Sequence, residues 1–489
     1  MIRKTPIINR KDKKTSKYID APSLDVPFLK LSENIDKDMV RKERTSIPHV
    51  AEPDVVRHYI NLSVKNHHVD QDFYPLGSCT MKYNPKINDK IASSLNFSEL
   101  HPDQSEKDIQ GSLKLMYDLE SMLNSITGMS RTTLQPSAGS QGEFVGLLIM
   151  KKYHKSKNNK KRFVLIPETA HGTNPASVIL SGYEVIQVKT DKDGCTDIQD
   201  LKSKMSDEVA GMMLTQPNTL GVFEKNITQI SDIIHEADGL MYMDGANLNA
   251  LLSIARPADM GFDITHMNLH KTFSTPHGGG GPGAGPIGVN SKLSDFLPGP
   301  VVNKKQDKYI FNQNLDKSIG KIHSYFGNIG VLVRAYCYIR SLGDEGLKEV
   351  SKNAIINANY LKSRLSDYYE VPFFDGTMHE FVISAVNQKN KGLKALDIAK
   401  LILDKGYHSP TIYFPTNVLE AMMMEPTETE SKETLDDFAD FLIDIAKRVE
   451  DNLDVFLESP KLTPVKRLNE TKANRELNLN WEYELPITK

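Results

Sequence analysis

The sequence predicts an α/β protein built on a mostly parallel sheet, with a smaller C-terminal α+β domain, and three observations carry that expectation. Short, continuous apolar runs, "RFVLIP", "YEVIQV", "AGMMLT", "GLMYMD" and "ITHMNL", recur between residues 162 and 269. Segments with apolar residues at helical spacing, "NPASVILSG", "DIQDLKSKM" and "NITQISDIIHEAD", separate them. Strands that are apolar throughout are those buried on both faces, and intervening helices supply the cover. After these, a long helical pattern at 327–365 leads to the strand-like "HEFVISAV", the helix "ALDIAKLILDKG" and a final helix to about residue 457.

Taken in chain order, residues 1–110 are rich in Pro, Asn and charge without a clean period. They are expected to form an irregular N-terminal arm and interface region. "GSLKLMYDLESMLNSITGM" reads as a helix stopped at Gly128, and "TLQPSAGSQGEFVGLLIMKKYHK" as a turn followed by an amphipathic helix. The large α/β domain is expected over 111–335, the small domain over 336–457 and a polar tail over 458–489. Ahead of the final helix, Thr427 and Glu430 stand at capping-box spacing.

Bulk properties narrow the function. A chain of 489 residues can bury a sizeable core, and 39% hydrophobic with 25% charged residues is ordinary for a globular protein. A net charge of −3 shows no basic excess for nucleic acid, and no apolar run is long enough to span a membrane. Cys79, Cys195 and Cys337 lack metal-ligand spacing, which suits a reducing, cytoplasmic setting. The basic stretch "MIRKTPIINRKDKKTSKYID" has no apolar core for secretion and reads as a solvated arm. His67 and His68 have no carboxylate or cysteine at ligand spacing, so no metal site is expected.

In parallel sheets ligands bind at the carboxyl ends of the strands, and four such ends are unusual here. "PSAGSQGE" runs small residues into a helix, leaving the amides of Ala138, Gly139 and Ser140 open to a phosphate; the plainer reading is a turn capped by Ser137 or Ser140. "ETAHGTNPAS" puts His171 after a strand, where it can stack on a ring or move a proton; a hydrogen-bonded loop histidine is the commoner case. "LMYMDGANLNA" ends an apolar strand with Asp244, a carboxylate that needs a cation or strong donors, unless it merely caps the next helix. Asn247 follows as a neutral donor.

The fourth end is "HMNLHKTFSTPHGGGGPGAGPIG", where Lys271 follows an apolar strand and precedes a glycine run that permits positive φ and close backbone approach. Each signal is weak alone. Together, a phosphate cradle, a ring-stacking histidine, a carboxylate and a strand-end lysine are the parts that hold pyridoxal 5′-phosphate. Lys271 would condense with its aldehyde, and Asp244 would keep its pyridine nitrogen protonated.

"NLHKTFSTPHGGGGPGAGPIGV", "FYPLGSCTMKYNPK", "AHGTNPAS", "MLTQPNTLG", "MDGANLNA" and "EPTETESKETLDDF" resemble the glycine cleavage system P-protein family, more narrowly subunit 2 of its two-subunit form. The resemblance implies an aspartate-aminotransferase-like (fold type I) pyridoxal-phosphate enzyme, with Lys271, Asp244 and His171 in the roles above. It implies that Asn268 and His270 assist the phosphate and that Asn218 or Asn247 touches the ring hydroxyl. It also implies decarboxylation of glycine, transfer of the aminomethyl group to the lipoyl arm of H-protein, and a heterotetramer of two copies each with a subunit 1. "GTMHEFVIS" and "SPTIYFPTN" lack the arginine with which many transaminases of this fold clamp a substrate carboxylate. A cysteine desulfurase of this fold would need a mobile cysteine in a small-domain loop, whereas Cys337 falls in a helical pattern. "FYPLGSCTMKYNPK" reads equally as an interface loop or as a lid over the site.

Overall fold

The computed structural model describes residues 23, 25–42, 51–278, 283–313 and 315–477; the basic N-terminal stretch and most of the glycine run lie outside them. Two compact units divide the chain, residues 1–68 with 460–489, and residues 69–459. The described part of the first unit holds the helices Leu31–Asn34, Glu52–Ser63 and Glu470–Arg475. Glu52–Ser63 begins with a proline in its first turn beside Glu52 and Asp54, which suit the positive end of the helix dipole. The irregular 1–110 region thus carries helices, Lys86–Ala92 and Leu95–Ser98 among them. Those two are too short to show a period.

The second unit contains the expected sheet. Its strands are β1 (Arg131–Thr133), β2 (Phe163–Pro167), β3 (Glu184–Val188), β4 (Val209–Thr215), β5 (Leu240–Gly245), β6 (Ile264–Met267) and β7 (Ile287–Val289). Their order is β1-β7-β6-β5-β4-β2-β3, parallel throughout except that β7 runs against both neighbours. Both faces are covered, which is why the strands are apolar without alternation. On β5, Met241 and Met243 enter one core with helices Gln110–Thr127 and Ile227–Glu236, while Leu240 and Tyr242 enter the other with helix Gly139–Ser156. Helix Gln110–Thr127 stops at Gly128, whose φ of 74° is the left-handed C-cap the sequence anticipates.

A hairpin, β8 (Val301–Lys305) and β9 (Lys308–Asn312), precedes the long helix Ile329–Leu365, which bends at Gly343 (φ 63°, ψ −172°). Beyond it, β10 (Phe381–Ser384), β11 (Thr411–Ile412) and β12 (Ala421–Met424) form an antiparallel sheet in the order β10-β12-β11. Its core joins the second half of the long helix to helices Ala395–Lys405 and Lys432–Leu457. Ser431, not Thr427, caps that last helix, accepting the Thr434 amide at 3.2 Å, because Thr427 is turned away at φ 63°. The turn after β4 meets this region directly: the Met378 amide donates to the Gly221 carbonyl at 2.7 Å, and a Cβ on Gly221 would lie 1.8 Å from the Glu380 carbonyl oxygen. Among the described residues, no helix is long and apolar enough to cross a membrane.

Candidate active site

A cavity of about 230 Å³ opens at the carboxyl ends of β4, β5 and β6, and every candidate residue except Asn218 lines it. Lys271 reaches it from an unexpected element. β6 ends at Met267, and Asn268 leads into a single helical turn, Leu269–Thr272, that carries the lysine. Its Nζ donates to the Ser78 carbonyl at 2.7 Å.

Asp244 is completely buried yet ionised. Burial alone would raise its pKa, but His266 Nε2 at 3.1 Å, Asn174 Nδ2 at 2.9 Å and the Ala246 amide at 2.9 Å outweigh it and hold the carboxyl below the usual range. The parallel pairing of β5 with β6 sets Asp244 opposite His266. Burial opposes the charged imidazole, and Asp244 overcomes that, so the His266 pKa is raised. Its Nδ1 lies 3.1 Å from the Tyr242 hydroxyl. The aspartate is therefore an ion-pair partner rather than a helix cap. His266 and Asn174 sit inside runs that read as strand and helix start; the signal for His266 was a polar residue within a buried strand, beside one that carries a charge.

The helix Gly139–Ser156 presents an uncapped N-terminus to the cavity. Its N-cap is Ala138, with no side-chain bond, so neither Ser137 nor Ser140 caps it. Ser137 instead donates through its amide and hydroxyl to Gln141 Oε1 at 2.6 and 2.8 Å. The approach is close: a Cβ on Gly139 would fall 2.5 Å from Asn268 Oδ1, and one on Gly285 would fall 2.1 Å from the Ala138 carbonyl oxygen. Among the described residues, the buried Asn268 Oδ1 and Thr215 Oγ1 atoms have no hydrogen-bond partner, an arrangement that leaves polar capacity for a ligand.

His171 Nδ1 accepts the Thr173 amide at 3.3 Å, and burial, then the charge of Lys271, lowers its pKa. His270 accepts the Ala284 amide at 3.3 Å; burial with His277 and Lys271 nearby pushes it down to about 3. Asn247 donates to the Pro217 carbonyl and to Glu380 Oε1, both at 2.9 Å. Asn218 departs from its expected place. Its Nδ2 donates to the Gly194 carbonyl at 2.7 Å and its Oδ1 accepts the Leu220 and Val222 amides at 3.0 and 3.2 Å. These bonds tie down its own turn, and it is not among the residues lining the cavity.

The segment 73–86 is a strap across the lysine. Phe73 is buried in the C-terminal core, the Gly77 amide donates to the Met423 carbonyl at 3.2 Å, and Ser78 supplies the oxygen that holds Lys271. Lys82 is buried against Glu428 and Asn249, each at 2.8 Å. Cys79 Sγ lies 3.4 Å from His277 Nε2, and burial raises its pKa despite Lys271, unlike an activated thiolate.

Comparison with known proteins agrees with this geometry. The family described as glycine cleavage system P-protein matches residues 9–314, and the glycine dehydrogenase C-terminal domain matches residues 350–460. A protein of Caldanaerobacter subterraneus subsp. tengcongensis is 53% identical over 96% of this chain and 97% of its own. One of Chlorobium chlorochromatii is 54% identical over 97% and 99%. Both are described as "Probable glycine dehydrogenase (decarboxylating) subunit 2". Among solved structures, glycine decarboxylase (P-protein) of the glycine cleavage system in inhibitor-bound form superposes with a TM-score of 0.73 at 18% identity, covering 85% of this chain and 94% of that one. Glutamate decarboxylase of Lactobacillus brevis gives 0.64 at 12% identity, covering 86% and 97%. The fold is therefore the aspartate-aminotransferase-like one of type I pyridoxal-phosphate enzymes. By sequence over nearly its whole length, the chain belongs to the glycine cleavage system P-protein family, in the branch described as subunit 2.

Proposed function

We propose that this chain decarboxylates glycine with pyridoxal 5′-phosphate and passes the aminomethyl group to the lipoyl arm of H-protein, working with a subunit 1 in a heterotetramer of two copies each. One observation carries the reading: an amine at Lys271 and an ionised, ion-paired Asp244 line the same cavity as an uncapped helix N-terminus. The residues suit the cofactor's three chemical parts. The amides at Ala138, Gly139 and Ser140 and the positive helix end receive the phosphate. Asp244, kept charged by His266, holds a proton on the pyridine nitrogen. Lys271 would supply the amine that condenses with the aldehyde. His171 lines the cavity as a neutral ring, suited to stacking. When bound, the cofactor supplies an electron sink for the pair left as the C–CO₂ bond of glycine breaks.

No arginine is among the described residues lining the cavity, and Arg334 is engaged by Asp89 at 2.5 Å and the Gly330 carbonyl at 2.9 Å. A carboxylate that must leave as CO₂ gains from being held weakly. On this reading residues 111–335 form the cofactor-binding part and 336–457 a smaller part closing the site from the strap side. The test is a visible spectrum of the purified chain before and after borohydride, with the modified peptide mapped. The expected label is on Lys271, and Lys271→Arg should abolish it together with exchange of the glycine carboxyl with CO₂. A label elsewhere would overturn the proposal.

A further inference from the structure

Two glutamates that no step above uses meet beneath the strap. Glu380 precedes β10 and Glu425 follows β12, and the antiparallel register pairing Phe381 with Met424 sets them side by side. His379, Glu380 and Glu425 are all 0% exposed, and one polar atom from each lies within 4.8 Å of the others. Two carboxylates so close and so dry cannot both be ionised, so the pair retains one proton.

The hydrogen bonds say where that proton sits. Glu380 accepts from two N–H donors, the Ser78 amide at 2.7 Å and Asn247 Nδ2 at 2.9 Å, which favour its charged form. Among the described residues, Glu425 accepts only the Thr80 hydroxyl, at Oε1, and its Oε2 has no partner. Glu425 is thus the neutral acid and Glu380 the anion. Burial pushes Glu380 up to about 7, and Glu425 well above its ordinary value, in the same order. The other ionisable groups acting on the pair are Lys271, Cys79, His379 and Glu428, the last in an ion pair with Lys82.

Ser78 is the link to the site. Its φ of 61° is left-handed, a conformation a serine keeps only when its surroundings hold it. Its amide is held by Glu380 and its carbonyl holds the Lys271 amine. We propose that Glu380, as the anion of a one-proton pair with Glu425, is a positioning residue that clamps Ser78 and thereby fixes Lys271. The proposal rests on Lys271 being the reactive amine, but its test does not.

The test is hydrogen exchange at the Ser78–Met81 amides of the cofactor-free protein, comparing Glu380→Gln with Glu425→Gln. Glutamine mimics a neutral acid, so Glu425→Gln should leave exchange as in the wild type. Glu380→Gln removes the charge from the acceptor and turns an NH₂ group toward one of its two donors, so it should speed Ser78 exchange by about tenfold. In the cofactor-loaded protein, the pH midpoint of the visible band should move in Glu380→Gln and stay put in Glu425→Gln. Equal effects of the two variants, or a silent Glu380→Gln, would overturn the assignment. Should Glu380→Gln fail to fold, the wild type carries the test. Corrected for intrinsic exchange, Ser78 protection should fall several-fold as pH drops through about 7, where Glu380 is neutralised, and a flat profile overturns the proposal. Because exchange is read without cofactor, its failure leaves the functional reading intact. A missing borohydride label on Lys271 would instead sink that reading alone.

Discussion

At the scale of single residues, the Asp244–His266 pair decides most. Its two charges are buried and mutually compensated, so removing one partner exposes the other to an uncompensated interior. His266→Gln should destabilise the fold by about 3 kcal/mol in urea titration, and weaken cofactor binding as well. The pH dependence has two sides. Asp244 has a depressed folded pKa, so its stabilising contribution is full above the unfolded value of about 3.9 and is lost only as pH falls through the lower folded value. His266 has a raised folded pKa, so its contribution is full below about 6.5 and is lost as pH rises through the folded value. The Tm difference between wild type and His266→Gln should therefore narrow at both extremes, and a pH-independent difference would contradict the pairing. Sequence reasoning found Asp244 because a charge closed an apolar strand. Glu380 and Glu425 flank apolar strands in the same way, yet nothing local marks the long-range register that joins them.

At the scale of elements, β2 to β6 were legible because each is a continuous apolar run, long enough to stand out from its helices. β1 and β7 were not: three residues are too few for a period, and their pairing joins positions more than 150 apart in sequence. The helix carrying Lys271 was hidden for a similar reason, being one turn long and continuous with an apolar strand. Two glycines test how much element geometry matters. Gly139→Ala would set a methyl against Asn268 at the helix N-terminus and should weaken cofactor binding about tenfold, or about 1.4 kcal/mol, read by fluorescence titration. Gly343→Ala meets none of the described residues within 4 Å, yet its backbone lies in a region open only to glycine. It should cost about 1–3 kcal/mol in thermal unfolding without altering the site.

At the scale of the whole molecule, the relatives described as subunit 2 point to shared work. The isolated chain should bind cofactor and form the borohydride-stable adduct, yet exchange glycine carboxyl with CO₂ slowly until subunit 1 is added. Full-rate exchange by the chain alone would refute that dependence. The seam at Gly221 bears on how small molecules get in and out. There, main-chain atoms from the turn after β4 are stitched to those before β10, with no room for even a methyl group between them. These two segments cannot part along that margin without breaking main-chain hydrogen bonds. A tether stapling Gly221's neighbours to residue 378 should therefore leave the entry rates of small molecules untouched.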